Sequence, residues 1–249
     1  MRTPDRKDRC VHCHALLTPS TTTKDHIFPS SWYPASTPQN LAKWTVPSCK
    51  ACNERYSRIE EELLTRFTLC LDPKAEAAVG LYDRVKRSIN LEDAPNQREA
   101  KIRKAKLRKL NLTYLTNEEI QRVPAANFLP GFGPFSNDIS PDKLAVIIPF
   151  DFINSYIEKL CKGLAFKLEG IYLDLVNEQE ILFLPRDVQM QPNDSLPQQL
   201  LQRHATTYSW GNAIIINRFV NPIEPALSVT YIELWQRWKF YAAVRKKRA

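Results

Sequence analysis

The spacing of apolar and polar positions predicts helices between residues 53 and 110. In "NERYSRIEEELLTRFTLCL", which begins at Asn53, the residues Ile59, Leu63, Phe67 and Cys70 recur at intervals of three and four, with charged residues between them. That spacing is typical of a helix with one buried face. Two more segments, "LYDRVKRSIN" and "REAKIRKAKLRKL", read as helices on either side of the short break "LEDAPNQ".

The chain after residue 143 has the pattern of a mixed α+β unit. "KLAVIIPF" looks like a strand, and "DFINSYIEKLCKGLAF" places several apolar side chains on one helical face. "IYLDLV" and "EILFL" resemble a pair of strands, followed by "AIIINRF" and the aromatic-rich "SVTYIELWQRWKFYAAV". We therefore expect a second unit that begins near Lys143.

These patterns predict the α+β fold class and four parts of the chain. The parts are an N-terminal module over residues 1–70, a basic helical connector over 71–122, a Pro-, Gly- and Asn-rich linker over 123–142 and a C-terminal α+β domain over 143–249. No apolar run approaches the length of a membrane span, and the first residues, "MRTPDRKDRC", are charged rather than signal-like. We therefore expect a soluble, cytoplasmic protein with no membrane partner.

The excess positive charge is concentrated in the front of the chain. Residues 1–110 contain 21 Lys and Arg against 13 Asp and Glu, whereas residues 111–249 contain 14 of each. This asymmetry favours a front half that binds a polyanion, although solvated helix faces would produce the same counts. The candidate phosphate contacts in the second basic helix are Lys101, Arg103, Lys104 and Arg108.

Two C-x2-C pairs near the start of the chain predict a metal site. They are formed by Cys10, Cys13, Cys49 and Cys52, with 35 residues between the pairs. Four thiolates from two such pairs make a closed, tetrahedral, structural zinc site. His12 and His14 flank the first pair and are alternatives to a thiolate, but with four cysteines available we expect them to be bystanders.

The dipeptide Asp25-His26 lies between the two cysteine pairs, at a predicted strand end. A zinc site would tie this part of the chain to the start of the Asn53 helix, in a segment too small to fix that geometry by hydrophobic burial alone. The order that follows is a strand, a loop, a strand near "KWTVPS" and a helix. In such a ββα arrangement Asp25, His26 and Asn53 can converge.

This order of motifs resembles the HNH endonucleases, also called His-Me finger or ββα-metal nucleases, of the zinc-knuckle type. The matching residues are Cys10, Cys13, Asp25, His26, Asn40, Cys49, Cys52 and Asn53. The resemblance covers about residues 8–65 and implies a small, zinc-stapled ββα-metal module with a treble-clef-like fold. One departure is the loop "PSSWYPASTPQ", which has prolines and no glycine where family members often have a Gly-rich turn. We expect this loop to influence the choice of substrate.

The resemblance also implies separate catalytic roles. His26 would be the general base that deprotonates water, and Asp25 and Asn53 would bind one Mg²⁺ or Mn²⁺ through oxygen. These residue types suit the chemistry, since histidine titrates near neutral pH and hard cations prefer oxygen ligands. Asn40 would orient the imidazole of His26.

Structural explanations compete with several of these roles. Asp25 and His26 can belong to an ordinary turn, and Asn40 can also be a turn residue. Asn53 can instead cap the helix that it begins. Arg55 and Arg58 lie near Asn53 and can contact phosphate, or they can pair with neighbouring glutamates. Three aromatic residues can stack on bases or form a small core. They are Trp32, Tyr33 and Trp44.

Two functions of different classes follow. The first is an HNH endonuclease that hydrolyses DNA, with RNA as the alternative substrate. A regulatory protein partner or homo-oligomer formation is the expected way to gate its activity. Family analogy associates such enzymes with restriction, mobile elements or phage defence. The second is a non-catalytic zinc-knuckle protein that binds nucleic acid. The acid–histidine–asparagine set favours the enzyme, because a protein that only binds has no need to keep those residues together.

Overall fold

The computed structural model describes residues 8–72, 74–111, 114–115, 145–175, 179–185 and 196–247. These ranges contain both helices and antiparallel strands, so the predicted mixed α+β class is confirmed. The linker predicted over 123–142 lies outside the described residues. No helix in the described ranges is long and apolar enough to cross a membrane.

The N-terminal module has the predicted strand–strand–helix order. Strand β1 (Thr22–His26) pairs antiparallel with β2 (Thr45–Cys49), and helix α1 (Lys50–Leu69) follows β2 without a loop. Alternation along β1 leaves Lys24 exposed and buries Asp25 towards the interior. The strand end at Asp25-His26, the strand near "KWTVPS" and the helix are therefore confirmed as elements.

The connector contains the two predicted helices, α2 (Leu81–Ile89) and α3 (Gln97–Asn111). Helix α2 begins after Gly80, whose φ of 77° favours glycine. A Cβ added to Gly80 would come within 3.0 Å of the Cβ of Ala35, so the loop after β1 packs closely on the start of α2. Arg84 then donates to the carbonyl oxygens of Ser31 and Tyr33, which fixes this loop further.

The C-terminal unit combines one long helix with an antiparallel sheet. After the short pair β3 (Tyr114–Leu115) and β4 (Ala145–Val146) comes helix α4 (Phe150–Leu164), which continues as a π-helical turn (Ala165–Glu169). The remaining elements are β5 (Gln179–Pro185), α5 (Leu196–His204), β6 (Thr206–Trp210), β7 (Ile214–Val220), β8 (Ser228–Leu234) and β9 (Trp238–Lys246). The sheet order is β5-β9-β8-β7-β6, with every neighbouring pair antiparallel.

The N-terminal module and the C-terminal unit share one hydrophobic core. Trp32, from the loop after β1, lies 4.6 Å from Tyr156 of α4 and 5.4 Å from Trp235 between ring centroids. The indole N–H of Trp235 also donates to the carbonyl oxygen of Trp32 at 2.9 Å. Trp32 and Tyr33 are thus buried core residues, as one of the two alternatives predicted.

Trp235 adopts an unusual backbone conformation in order to reach this core. It lies in the turn between β8 and β9 with a φ of 52°, and Gln236 follows with a φ of 57°. A bulky residue in the left-handed region is strained. Burial of the indole against Trp32 and Phe67 offsets that strain, so the turn is held by its contacts with the N-terminal module.

Two sequence-based assignments in the second half need correction, and two elements were not foreseen. Residues 171–175 of "IYLDLV" form no strand, although Leu173 is buried, and β5 pairs with β9 instead. In the described part of "KLAVIIPF", residues 145–150, the strand is limited to the two residues of β4, because Pro149 lacks an N–H for a strand ladder and precedes helix α4. Helix α5 and strand β6 were not predicted, because their segments show too little apolar periodicity.

Replacing Arg84 tests how firmly the loop after β1 is held. Arg84→Met removes a charged donor from two loop carbonyl groups, and we expect it to lower the free energy of unfolding by about 1.5–3 kcal/mol. Arg87→Met, on the exposed side of the same helix, should change it by less than about 0.5 kcal/mol. Urea denaturation measures both values, and equal effects would contradict the assigned role of Arg84.

Candidate active site and metal centre

The four predicted cysteines form one compact cluster. Their sulfur atoms all lie within 4.8 Å of one another, and the Sγ atoms of Cys13 and Cys49 are 3.8 Å apart. Four thiolates around a tetrahedral zinc ion, each about 2.3 Å from the metal, would have this spacing. The cluster can therefore bind a metal ion such as zinc. Within the described ranges, no second group of three or more His, Cys, Asp or Glu ligands converges in this way.

Local backbone structure arranges the thiols. The first pair lies in a tight turn before β1, where His14 N–H donates to the carbonyl oxygen of Cys10 at 2.9 Å. The second pair spans the end of β2 and the first turn of α1, where the sulfur of Cys49 accepts from the N–H of Cys52 and caps the helix. Burial raises the pKa of Cys10, but backbone N–H groups of its neighbours outweigh this and lower it to about 7. That shift favours the thiolate, which is the metal-binding form.

Asp25 is a buried carboxylate with both oxygens engaged. Asp25 is only 3% exposed to solvent. Oδ2 lies 2.8 Å from Nε2 of His12, and Oδ1 lies 3.0 Å from Nζ of Lys159. His12 lies between the two cysteines of the first pair, and Lys159 lies in helix α4. Two separate parts of the chain therefore meet at this carboxylate.

Lys159 provides the positive charge between the carboxylates of Asp25 and Glu60. Its residue is 1% exposed, and its ammonium group donates to the carbonyl oxygen of His26 at 2.6 Å and to the carboxylate of Glu60. Burial raises the pKa of Glu60 to about 7, while the nearby Lys159 opposes that rise. Lys162, one turn further along α4, donates to the carbonyl oxygen of His12 at 2.9 Å.

The predicted acid–histidine–asparagine set lines one cleft. The cleft has a volume of about 490 Å³ and lies between the end of β1, the first half of α1 and helix α2. Asp25, His26 and Asn53 all contribute to its wall, together with Glu60 and Arg84. The structure therefore brings Asn53 together with the dipeptide Asp25-His26, although Asn53 lies 28 positions after Asp25 in the sequence. It also adds a second carboxylate, that of Glu60, beside them.

His26 has the properties of a neutral imidazole at the cleft. Burial lowers its pKa, and Lys43 and Lys159 lower it further, while Asp25 acts in the opposite direction. Nδ1 is buried and has no hydrogen-bond partner among the described residues. A ring that is neutral near pH 7 can accept a proton.

Asn53 does not cap the helix, because Cys49 has that position and Asn53 lies within the first turn. Its Nδ2 donates to the hydroxyl oxygen of Thr23 at 3.2 Å. The amide oxygen is then the atom that the side chain can offer to a hard cation.

Asn40 is the predicted site residue that the structure leaves apart. It is exposed in the loop between β1 and β2, next to a turn in which Leu41 N–H donates to the carbonyl oxygen of Pro38. It is not among the residues that line the cleft, and no described hydrogen bond joins it to His26. Its orienting role stays a prediction.

The predicted phosphate contacts divide into engaged and exposed side chains. Arg55 donates to the hydroxyl of Tyr56 at 2.7 Å, and Arg103 donates to the carboxylate of Glu99 and the carbonyl oxygen of Asn90. Arg55 is exposed as well, although its guanidinium contacts Tyr56. The other four side chains are exposed, so they are the better candidates for contact with a polyanion. They are Arg58, Lys101, Lys104 and Arg108.

Sequence reasoning missed His12, Glu60 and Lys159. His12 was expected to have no role in metal binding, because four thiols already complete the ligand set. The structure shows that its imidazole instead forms a hydrogen bond with the carboxylate of Asp25. Lys159 had a recognisable signal, since it follows Tyr156 by three positions and so extends the apolar face of α4. Nothing in the sequence indicated which residue this charge would meet.

Comparison of the chain with family models, with curated proteins and with solved structures finds no match. The functional argument therefore depends on the residues and their geometry.

Removing one thiol tests the metal centre. We expect the purified protein to carry one zinc per chain, and Cys49→Ser to lose it and to destabilise the N-terminal module, since both β2 and α1 depend on this residue. Cys70→Ser, which alters a half-buried thiol outside the cluster, should retain the metal. Elemental analysis by mass spectrometry gives the zinc content. A full zinc equivalent in folded Cys49→Ser would refute the four-thiolate site.

Proposed function

We propose that this protein is a metal-dependent endonuclease of the HNH type that hydrolyses phosphodiester bonds in DNA. The observation that carries the proposal is the cleft in which Asp25, His26 and Asn53 meet beside the four-cysteine cluster. The three residue types supply a base and oxygen ligands for a cation, which are the two requirements of phosphodiester hydrolysis.

His26 acts as the general base in this proposal. Its imidazole lies at the cleft with a lowered pKa, so the ring is neutral at physiological pH and can take a proton from a water molecule that attacks phosphorus. The strand position supports this role, because the hydrogen bonds of β1 to β2 fix the backbone of His26. A fixed backbone limits the positions that the ring can adopt.

Asp25 and Asn53 are the proposed ligands of Mg²⁺ or Mn²⁺. A carboxylate oxygen and an amide oxygen suit a hard cation, which retains several of its waters when the protein offers few ligands. When bound, the cation neutralises charge on the scissile phosphate and on the leaving oxygen. Asn53 is oriented for this purpose by its hydrogen bond to Thr23, and Asp25 by His12.

The four-cysteine cluster has a structural role in the proposal, with zinc as its metal. It joins the turn that carries His12 to the start of α1, which carries Asn53. A metal at this point fixes both residues relative to β1. His12 extends this effect into the cleft, because its hydrogen bond to Asp25 connects the first cysteine pair to a proposed cation ligand.

DNA is the proposed substrate because positive charge faces solvent next to the cleft-forming helix. Helix α3 exposes Lys101, Lys104 and Arg108, and α1 exposes Arg58. Cationic side chains of this kind bind phosphates independently of base sequence. The same surface would hold RNA, so the nuclease assay includes both.

A non-catalytic zinc protein that binds nucleic acid is the second candidate. One observation favours it: both carboxylate oxygens of Asp25 are already occupied, by His12 and by Lys159. In that case Asp25 is a structural residue that links the first cysteine pair to helix α4, and the basic surface alone carries the function.

Replacement of His26 distinguishes the two candidates. His26→Ala should lower the rate of plasmid cleavage in Mg²⁺ or Mn²⁺ by about 10²–10⁴-fold, which is the usual contribution of a general base. His204→Ala, an exposed histidine outside the cleft, is the matched control and should cleave at the wild-type rate.

The assay uses supercoiled plasmid, single-stranded DNA and RNA, with and without a chelator. Unchanged cleavage by His26→Ala would remove the catalytic assignment. Binding without cleavage by the wild-type protein, on every substrate and with either metal, would favour the second candidate.

A further inference from the structure

We propose that Lys159 sets the affinity of the cleft for its divalent cation by competing for the carboxylate of Asp25. This inference rests on the proposed function and assigns a place in it to the C-terminal unit. The ammonium group of Lys159 is surrounded by three oxygens, which belong to Asp25, Glu60 and the backbone of His26. It thus has the surroundings that a small cation would have in the same place.

The charge of Lys159 opposes the binding of a divalent cation to the carboxylate of Asp25. The ammonium is 3.0 Å from Oδ1 of Asp25, and both side chains are almost completely buried, so water screens their interaction weakly. A divalent cation that binds Asp25 must share the same carboxylate and is repelled by the lysine charge. The wild-type cleft should therefore bind a divalent cation more weakly than the same residues would without Lys159.

Helix α4 cannot easily withdraw this charge, because the helix is held close to the N-terminal module. Gly163 allows a close approach: a Cβ added there would lie 3.2 Å from Cγ1 of Ile27. Lys162 adds a second contact through the carbonyl oxygen of His12. The position of α4 thus fixes the position of the ammonium group. The affinity of the cleft for a divalent cation therefore depends on how α4 packs against the N-terminal module.

The carboxylate of Glu60 explains why a lysine is tolerated here. Two buried carboxylates in one cleft would repel each other, and Lys159 pairs with both. Removing the ammonium takes the lysine charge away from both carboxylates and leaves Asp25 with His12 as its partner, which raises the attraction of the two carboxylates for any other cation. The expected consequence is a gain in divalent-metal binding rather than a simple loss of function.

The test is a titration of purified, zinc-loaded protein with Mn²⁺, followed by electron paramagnetic resonance of the free ion. Lys159→Met should bind Mn²⁺ about tenfold more tightly or better than wild type, as expected for removal of a like charge from the site. Lys162→Met removes a buried lysine from the same helix that does not contact Asp25, and its affinity should stay within about threefold of wild type.

Two double variants keep the test decisive. Glu60→Gln with Lys159→Met removes one charge of each sign, which preserves the charge balance and therefore folding, and it should still bind Mn²⁺ more tightly than Glu60→Gln alone. Asp25→Asn with Lys159→Met should lose the gain, since the competition passes through Asp25. Equal Mn²⁺ affinity of folded variants with and without Lys159 would overturn the inference, as would the absence of Mn²⁺ binding in every variant.

The readout separates this inference from the proposed function. Tighter Mn²⁺ binding by Lys159→Met in a protein that cleaves no nucleic acid would support the competition and reject the nuclease. Metal-dependent cleavage by wild type, combined with the same Mn²⁺ affinity in wild type and Lys159→Met, would support the nuclease and reject the competition.

Discussion

The buried carboxylate of Asp25 is the point on which the arrangement of this molecule depends. A carboxylate that is removed from water requires partners for both oxygens, and here they come from two distant parts of the chain. His12 arrives from the turn that carries the first cysteine pair, and Lys159 arrives from helix α4. One charge therefore joins the turn of the four-cysteine cluster, the strand β1 and the C-terminal unit, and it does so at the wall of the cleft that His26 and Asn53 also line.

Aromatic contacts also join the N-terminal module to the C-terminal unit. Trp32 follows β1 by only a few residues, and it contacts both Tyr156 of α4 and Trp235 of the β8–β9 turn. The loop that carries Trp32 is also held by Arg84, which lines the cleft. Polar and apolar contacts thus position α4 on the N-terminal module together. The C-terminal unit therefore gives structural support, and it also supplies the buried ammonium group of Lys159, which pairs with the cleft-lining carboxylates of Asp25 and Glu60.

The sequence predicted the parts of the site that depend on local pattern and failed where long-range packing decides. Paired cysteines at fixed spacing, a strand before Asp25-His26 and a periodic helix from residue 53 are local signals, and each is found in the structure. Lys159 meets Asp25 across more than a hundred residues, and no periodicity encodes that contact. The strand expected in "IYLDLV" was wrong for a different reason, because an alternation of apolar residues fits an irregular segment as well as a strand.

The most direct measurement of the central role of Asp25 is the unfolding of Asp25→Asn, followed by tryptophan fluorescence and by zinc release in the same guanidinium titration. Loss of one partner from a buried ion pair costs about 3–5 kcal/mol. If Asp25 joins the metal centre to the C-terminal unit, both signals should move together to a lower midpoint, because Trp235 and the cysteine cluster unfold as one. A shift in zinc release with the tryptophan transition unchanged would contradict this account.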